Sequence, residues 1–203
     1  MDKPDKWWRR SSESEEELIK RCQRGEWQAF EELVERKRQR IFWIAYQITG
    51  DEEGALDVTQ EIFIKLWKLI GKFRLGTRFD TWLYRMVVNR SIDYLRKRKR
   101  VAGGIPPVEG KAEELPSIQP DAERKLLVKE LQEVFNHLSA RLPPKQRAAF
   151  VLREIHGFSI REIAKIMTAT QSTIRNNLWL AKRFLREQME RHFPEYRTWI
   201  DRR

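Results

Sequence analysis

The chain is poor in the residues that build crosslinks, metal centres and membrane spans. Its 203 residues include one cysteine, Cys22, so no internal disulfide can form and a reducing compartment is expected. His137, His156 and His192 stand far apart with no second cysteine, which argues against a zinc or haem site. No cofactor is expected. No apolar run approaches the roughly 20 residues needed to span a bilayer. The opening MDKPDKWWRRSSESEEE lacks the apolar core of a secretion signal, so a cytoplasmic protein that makes no use of a membrane is expected. Trp7 and Trp8, beside Arg9 and Arg10, read as part of a disordered arm. Strand-like alternation is missing as well.

What is abundant is positive charge. Lysine plus arginine number 41 against 30 acidic residues, a formal net charge of +11, and the cations cluster. Such an excess points to a polyanionic partner, with a phosphate backbone the leading case. The densest cluster is FRLGTRFDTWLYRMVVNRSIDYLRKRKR, Phe73 to Arg100. There Phe73, Phe79, Trp82 and Tyr84 alternate with Arg74, Arg78, Arg85 and Arg90. Cations for phosphates beside flat rings for bases are the composition of a surface that holds unpaired DNA.

Apolar residues recur about every three to four positions almost throughout, so the fold is all-α. Ser12 is expected to cap a first helix, with Glu15 reaching back. A second helix covers Trp27 to Ile48 and a third runs from Glu52 to Ile70. A loop, Gly71 to Asp80, precedes a fourth helix capped by Asp80 or Thr81. From Val101 to Pro120 glycine, proline and acidic residues replace the periodic pattern, which marks a linker. Helices resume at Asp121, with Leu127, Leu131, Val134, Phe135, Leu138 and Leu142 on one face. Pro143-Pro144 ends that helix, Lys145 to Ile155 forms the next, and Gly157 closes it.

Ser159 to Arg183 reads as a helix-turn-helix. Ser159-Ile160-Arg161-Glu162 is a capping box, Thr168-Ala169-Thr170 a tight turn, and a long helix begins near Gln171. Ile160, Ile163, Ala164, Ile166, Ile174 and Leu178 pack the pair. Gln171, Ser172, Thr173, Arg175, Asn176 and Lys182 then form the groove-facing side of the second helix, residue types that contact phosphates and base edges.

Two stretches carry a family resemblance. One is Asp57-Val58-Thr59-Gln60-Glu61-Ile62-Phe63, followed by Phe79 to Asn89 and by Asp93-Tyr94-Leu95-Arg96. The other is Leu142-Pro143-Pro144-Lys145-Gln146-Arg147 with the helix-turn-helix behind it. Together they resemble regions 2 and 4 of the extracytoplasmic-function branch of the sigma-70 family of bacterial sigma factors. The resemblance implies a non-enzymatic factor that binds core RNA polymerase, recognises −10 and −35 promoter DNA and stabilises the melted strand. It implies docking on the polymerase clamp through Asp57, Gln60, Glu61 and Phe63. It implies capture of the single-stranded −10 region by Phe73, Arg74, Arg78, Phe79 and Asn89, with backbone contacts from Arg85, Arg90, Arg96 and Lys97. Trp82, Leu83 and Val87 fit a core as well, and for Trp82 burial is the expectation. The −35 contacts fall to Arg161 and to the groove-facing set. An anti-sigma factor is a further implied partner.

One departure stands out. Asn177 and Leu180 take the places of two arginines usual in the recognition helix, and Trp179 adds apolar surface. A weakened −35 contact, or docking on another protein, is the expectation. The resulting division is an arm (1–13), region 2 (14–100), a flexible linker (101–120), region 4 (121–192) and a C-terminal extension (193–203). A stand-alone helix-turn-helix regulator is the rival reading, but it leaves the Asp57 to Phe63 motif unexplained. A nucleic-acid enzyme would need a metal-binding carboxylate cluster, and Asp57/Glu61 is a weak one.

Overall fold

The computed structural model of the chain describes residues 13–101 and 134–192, and among them it contains helices and turns but no strand. Residues 1–12 of the arm, the linker beyond Val101, the helix start at Asp121 with Leu127 and Leu131, and the C-terminal extension lie outside the described residues.

The first helix, α1, spans Glu15–Gln23. Its N-cap is Ser14, whose side chain accepts from the Glu17 amide at 3.2 Å, so the cap sits two residues after the expected Ser12. Three acidic residues in its first turn complement the positive end of the helix dipole. Gly25, at φ 83°, turns the chain into α2, Trp27–Thr49. Gly50, at φ 72°, ends α2 in the left-handed region that glycine adopts without penalty. Asp51 then caps α3, Glu52–Leu69, by accepting from the Gly54 amide.

A short 3₁₀ turn, Ile70–Lys72, and a loop lead to α4, Phe79–Val101. This helix starts earlier than expected. Asp80 lies inside its first turn and accepts from Lys37 Nζ at 2.6 Å instead of acting as the cap. Leu18, Leu33, Ile41, Ile62, Leu66 and Leu83, all nearly inaccessible, form the centre of this four-helix unit. Each contributes about 1.5–3 kcal/mol through burial.

The second unit begins with α5, helical over 134–139, followed by α6, Pro144–Phe150, with Pro144 in the first turn as expected. The helix widens into a π-type turn over Val151–Ile155, and Gly157, at φ 71°, ends it. The capping box of Ser159 and Glu162 opens α7, Ile160–Ile166. After the Thr168 turn, α8 runs Gln171–His192. Ile163, Ala164, Ile166, Ile174 and Leu178 are buried between α7 and α8, as their spacing requires. The buried side chains of the two units join in one continuous core, with α4 packed against α6 and α7.

Candidate nucleic-acid interface

The third helix presents a mixed face. Asp57, Gln60 and Glu61 are exposed one turn apart, while Phe63 is half-buried against the core. Two apolar neighbours that the motif did not single out, Leu56 and Ile64, are 48% and 57% exposed on the same helix. Acidic and amide groups interleaved with open aliphatic surface suit a protein partner better than a phosphate backbone.

The loop and α4 carry the basic side. Arg74 and Arg78 are exposed, as are Asn89, Arg96 and Lys97, while Arg85 and Arg90 are partly covered. The rings behave differently from the cations. Phe73 and Phe79 are buried, edge to face at 5.3 Å, and both pack on half-buried Trp82 at 5.1 and 5.9 Å. Tyr84 is buried too. The aromatic residues therefore stiffen the loop from inside, and in this conformation the Phe73 and Phe79 faces are not open for stacking. Lys37, almost buried, lies 5.8 Å over the Phe79 ring and bridges Asp80 and Glu15. Burial works against its ammonium, but the two carboxylates outweigh it and hold its pKa above the ordinary value. This tie fixes the start of α4 on α1 and α2, and sequence spacing gave no sign of it.

Between α3 and α4 lies a groove of about 520 Å³ lined by Glu61, Lys65, Trp82, Arg85, Asn89 and Arg90 among others. Cations, an amide, an indole and the carboxylates of Glu61 and Asp93 thus converge on a space large enough for a nucleobase. Arg90 is not independent there. It donates to both carboxylate oxygens of Glu61, and that hydrogen bonding, against a smaller effect of burial, raises its pKa.

In the second unit Arg161, Gln171, Ser172, Thr173, Arg175, Asn176 and Lys182 are all exposed. Part of this set has local duties. Thr170 Oγ1 accepts from the Thr173 amide at 3.1 Å and pairs with the Ser172 and Thr173 hydroxyls, so the cap of α8 uses both. Arg175 donates to Gln171 at 3.4 Å, and Lys182 pairs with Glu154 at 2.8 Å. Where cations were expected, Asn177 and Leu180 are half-buried. Trp179 is 57% exposed, with the Arg183 guanidinium 4.9 Å from its ring.

The structure also brings together residues that sequence kept apart. Arg78 pairs with Glu162 at 3.2 Å, and Arg85 donates to the Lys165 carbonyl at 2.8 Å. The basic side of α4 thus faces α7 of the helix-turn-helix. Among the described residues no group of three or more potential metal ligands is gathered, and no helix is long and apolar enough to cross a membrane.

Residues 33–101 match the family described as Sigma-70 region 2, and residues 132–185 match Sigma-70, region 4. The chain is 31% identical over 180 residues to the RNA polymerase sigma-H factor of Pseudomonas aeruginosa, covering 85% of this chain and 92% of that one. It is 33% identical over 173 residues to the ECF RNA polymerase sigma-E factor of Escherichia coli, covering 81% and 88%. Solved structures share the fold. CnrH in complex with the cytosolic domain of CnrY superposes with a TM-score of 0.63 at 20% identity, covering 89% of this chain and 99% of that chain. The sigma factor RpoE of Bartonella quintana, in complex with the anti-sigma factor NepR, gives 0.58 at 24% identity, covering 79% and 96%. With region 2 and region 4 both matched and full-length relatives above 30% identity, the chain belongs to the sigma-70 family as an RNA polymerase sigma factor of the extracytoplasmic-function branch.

Proposed function

We propose a division of labour among the faces of this sigma factor. The exposed α3 face, centred on Asp57, Gln60 and Glu61 with Phe63 behind them, docks on the clamp of core polymerase. The groove between α3 and α4 receives a base of the melted −10 strand, with Asn89 as its hydrogen-bonding amide. Arg74, Arg78, Arg85, Arg90, Arg96 and Lys97 hold the strand's phosphates. Phe73 and Phe79 support the loop that carries Arg74 and Arg78. Arg161, Gln171, Ser172, Thr173, Arg175, Asn176 and Lys182 contact −35 duplex DNA. The protein works in the cytoplasm, and its partners are core polymerase, promoter DNA and an anti-sigma factor.

The observation that carries this reading is the adjacency of the Asp57–Glu61 face to a basic groove across a single helix pair. A factor that must hold polymerase and open DNA at once needs those two surfaces side by side. Stabilising an extruded base lowers the free energy of the open state, so strand separation proceeds without nucleotide hydrolysis. Co-purification with core polymerase and run-off transcription test the assignment. The pair Asp57→Ala and Gln60→Ala should lose polymerase while keeping helicity. Asn89→Ala should keep polymerase but lower promoter opening, read by permanganate reactivity of unpaired thymines. If both variants match the parent, these roles are wrong.

A further inference from the structure

Much of the apolar surface that the fold leaves open lies on one side. Among the described residues, the large apolar side chains most open to solvent are Trp27, Leu56, Ile64, Leu75, Ile155 and Trp179. Trp27, Leu56 and Ile64 belong to a single surface. Leu56, Gln60, Ile64 and Trp67 recur at helical spacing along α3, with half-buried Phe63 beside them. At the end of that stripe the Trp27 ring of α2 stands edge-on to Trp67 at 5.3 Å and lies 5.8 Å from Phe30. Its indole donates to Glu31 at 2.8 Å. Exposed Glu31, Glu53, Asp57 and Glu61 border the stripe, against exposed Lys65 and Lys68. Aliphatic and indole surface with a mainly acidic rim fits a segment that carries aromatic rings and cations together.

The chain contains such a segment, and the fold delivers it to this end. Lys6-Trp7-Trp8-Arg9-Arg10 puts two indoles beside three cations, with no acid between them. The described residues start at Glu13, which is tied down twice. Its carbonyl accepts from Arg36 at 3.1 Å, and its carboxylate accepts from Arg21 Nη1 at 3.0 Å. The same Arg21 donates through Nε to Glu26 at 2.7 Å, and Glu26 precedes Trp27. One arginine side chain thus links the base of the arm to the edge of the aromatic step. From Glu13 to Trp8 the chain can span up to about 17 Å, which brings both indoles within reach of Trp27 and Trp67.

We propose that in the unbound chain the arm seats Trp7 and Trp8 on the Trp27–Trp67 step, with Lys6, Arg9 and Arg10 against the bordering carboxylates. The inference rests on the proposed docking of α3 on core polymerase, because the covered surface includes part of that face. The arm is then a competitor in cis, and its tether gives it a high effective concentration. An arm seated for about nine-tenths of the time leaves one-tenth of the chains competent and weakens polymerase capture about tenfold.

Paramagnetic relaxation in the full chain reads the contact. A nitroxide is attached at Asp2→Cys in a Cys22→Ala background, and the isotope-enriched chain is observed without polymerase. The Trp27 indole and the amides of Ile64 and Trp67 should lose intensity. Trp7→Ser with Trp8→Ser, carrying the same label, should recover it. Equal intensities in the two chains overturn the proposal, as does a loss centred on α4 or α8. A mixture of spin-labelled chain with enriched, unlabelled chain should show no loss; a loss there means that the arm sits on a second copy and overturns the seat in cis. Capture of core polymerase gives the second reading. Trp7→Ser with Trp8→Ser should tighten it about tenfold. Unchanged affinity overturns the competition, and weakened affinity makes the arm part of the polymerase contact instead. If Asp57→Ala with Gln60→Ala captures polymerase like the parent, the docking role of α3 fails, and the relaxation measurement on the unbound chain does not depend on it.

Discussion

Arg90 on α4 donates through Nε and Nη2 to the two carboxylate oxygens of Glu61 on α3, the second contact at 2.5 Å. One residue was assigned to DNA and the other to polymerase, so each competes with the other's partner. Both side chains remain substantially exposed, so the pair adds under about 1 kcal/mol to stability. Its larger effect falls on ligand binding. Glu61→Gln should release Arg90 to a phosphate and tighten binding of single-stranded DNA, with the salt slope steeper by about 0.7 for the added contact. The same change should weaken capture of core polymerase. Fluorescence anisotropy across a salt series, beside a polymerase pull-down, reads both directions; an unchanged slope counts against the coupling.

Gly54 makes the packing of Tyr94 possible. A Cβ at Gly54 would stand 2.3 Å from Tyr94 Cζ. The Tyr94 hydroxyl is in turn fixed by Asp51, the residue that caps α3, and burial first and that hydrogen bond second push its pKa up to about 12. Helix propensity alone says that Gly54→Ala should stabilise by about 1 kcal/mol. The clash says that it should destabilise by about 1–3 kcal/mol. We expect the clash to win, measured by urea unfolding, and Tyr94→Leu introduced with it should restore part of the loss.

The helices, their order and the buried faces of the helix-turn-helix were legible because period, caps and proline–glycine punctuation are local signals. Ile163, Ile166 and Ile174 could be placed in the core from spacing alone. The first cap slipped from Ser12 to Ser14 because two serines in reach of a glutamate make equivalent patterns, and packing of Leu18 and Ile19 chooses between them. Asp80 looked like a cap because nothing local reveals Lys37 waiting 43 residues away. Phe73 and Phe79 looked like open rings because composition cannot say which side of a loop is inside. Arg147 illustrates the deepest limit. An arginine in a proline-started helix reads as solvated, yet Arg147 is buried, donating to the Gln47 carbonyl in the last turn of α2 and to Asn136 Oδ1.

The turn of the helix-turn-helix contains a strained residue. Thr168 sits at φ 51°, the one positive φ of a non-glycine among the described residues. A β-branched side chain there is crowded by its own backbone. Glycine relieves the crowding but adds freedom to the unfolded chain, worth about 0.5–1 kcal/mol against it. Relief of strain, on the order of 1–3 kcal/mol, is the larger quantity. Thr168→Gly should therefore raise the melting temperature by about 2–4 °C, with Thr168→Val lowering it. Differential scanning calorimetry decides, and a fall on Thr168→Gly would mean that the Thr168 side chain carries contacts worth more than its strain.

His156 gives the stability of the fold a dependence on pH. Its ring is largely covered beside Phe158, and burial first, then the charge of Arg40 on α2, pushes its pKa down from 6.5 to about 4. In the unfolded chain it titrates at the ordinary value. Above pH 6.5 it is neutral in both states and its contribution to stability is fully present. Between about pH 6.5 and pH 4 the unfolded state binds a proton that the folded state refuses, so stability falls as the pH falls. His156→Phe should flatten the loss of melting temperature between pH 7 and pH 5, and Arg40→Ser should flatten part of it. If the parent and His156→Phe lose stability in parallel over that interval, other groups govern the acid limb and His156 does not.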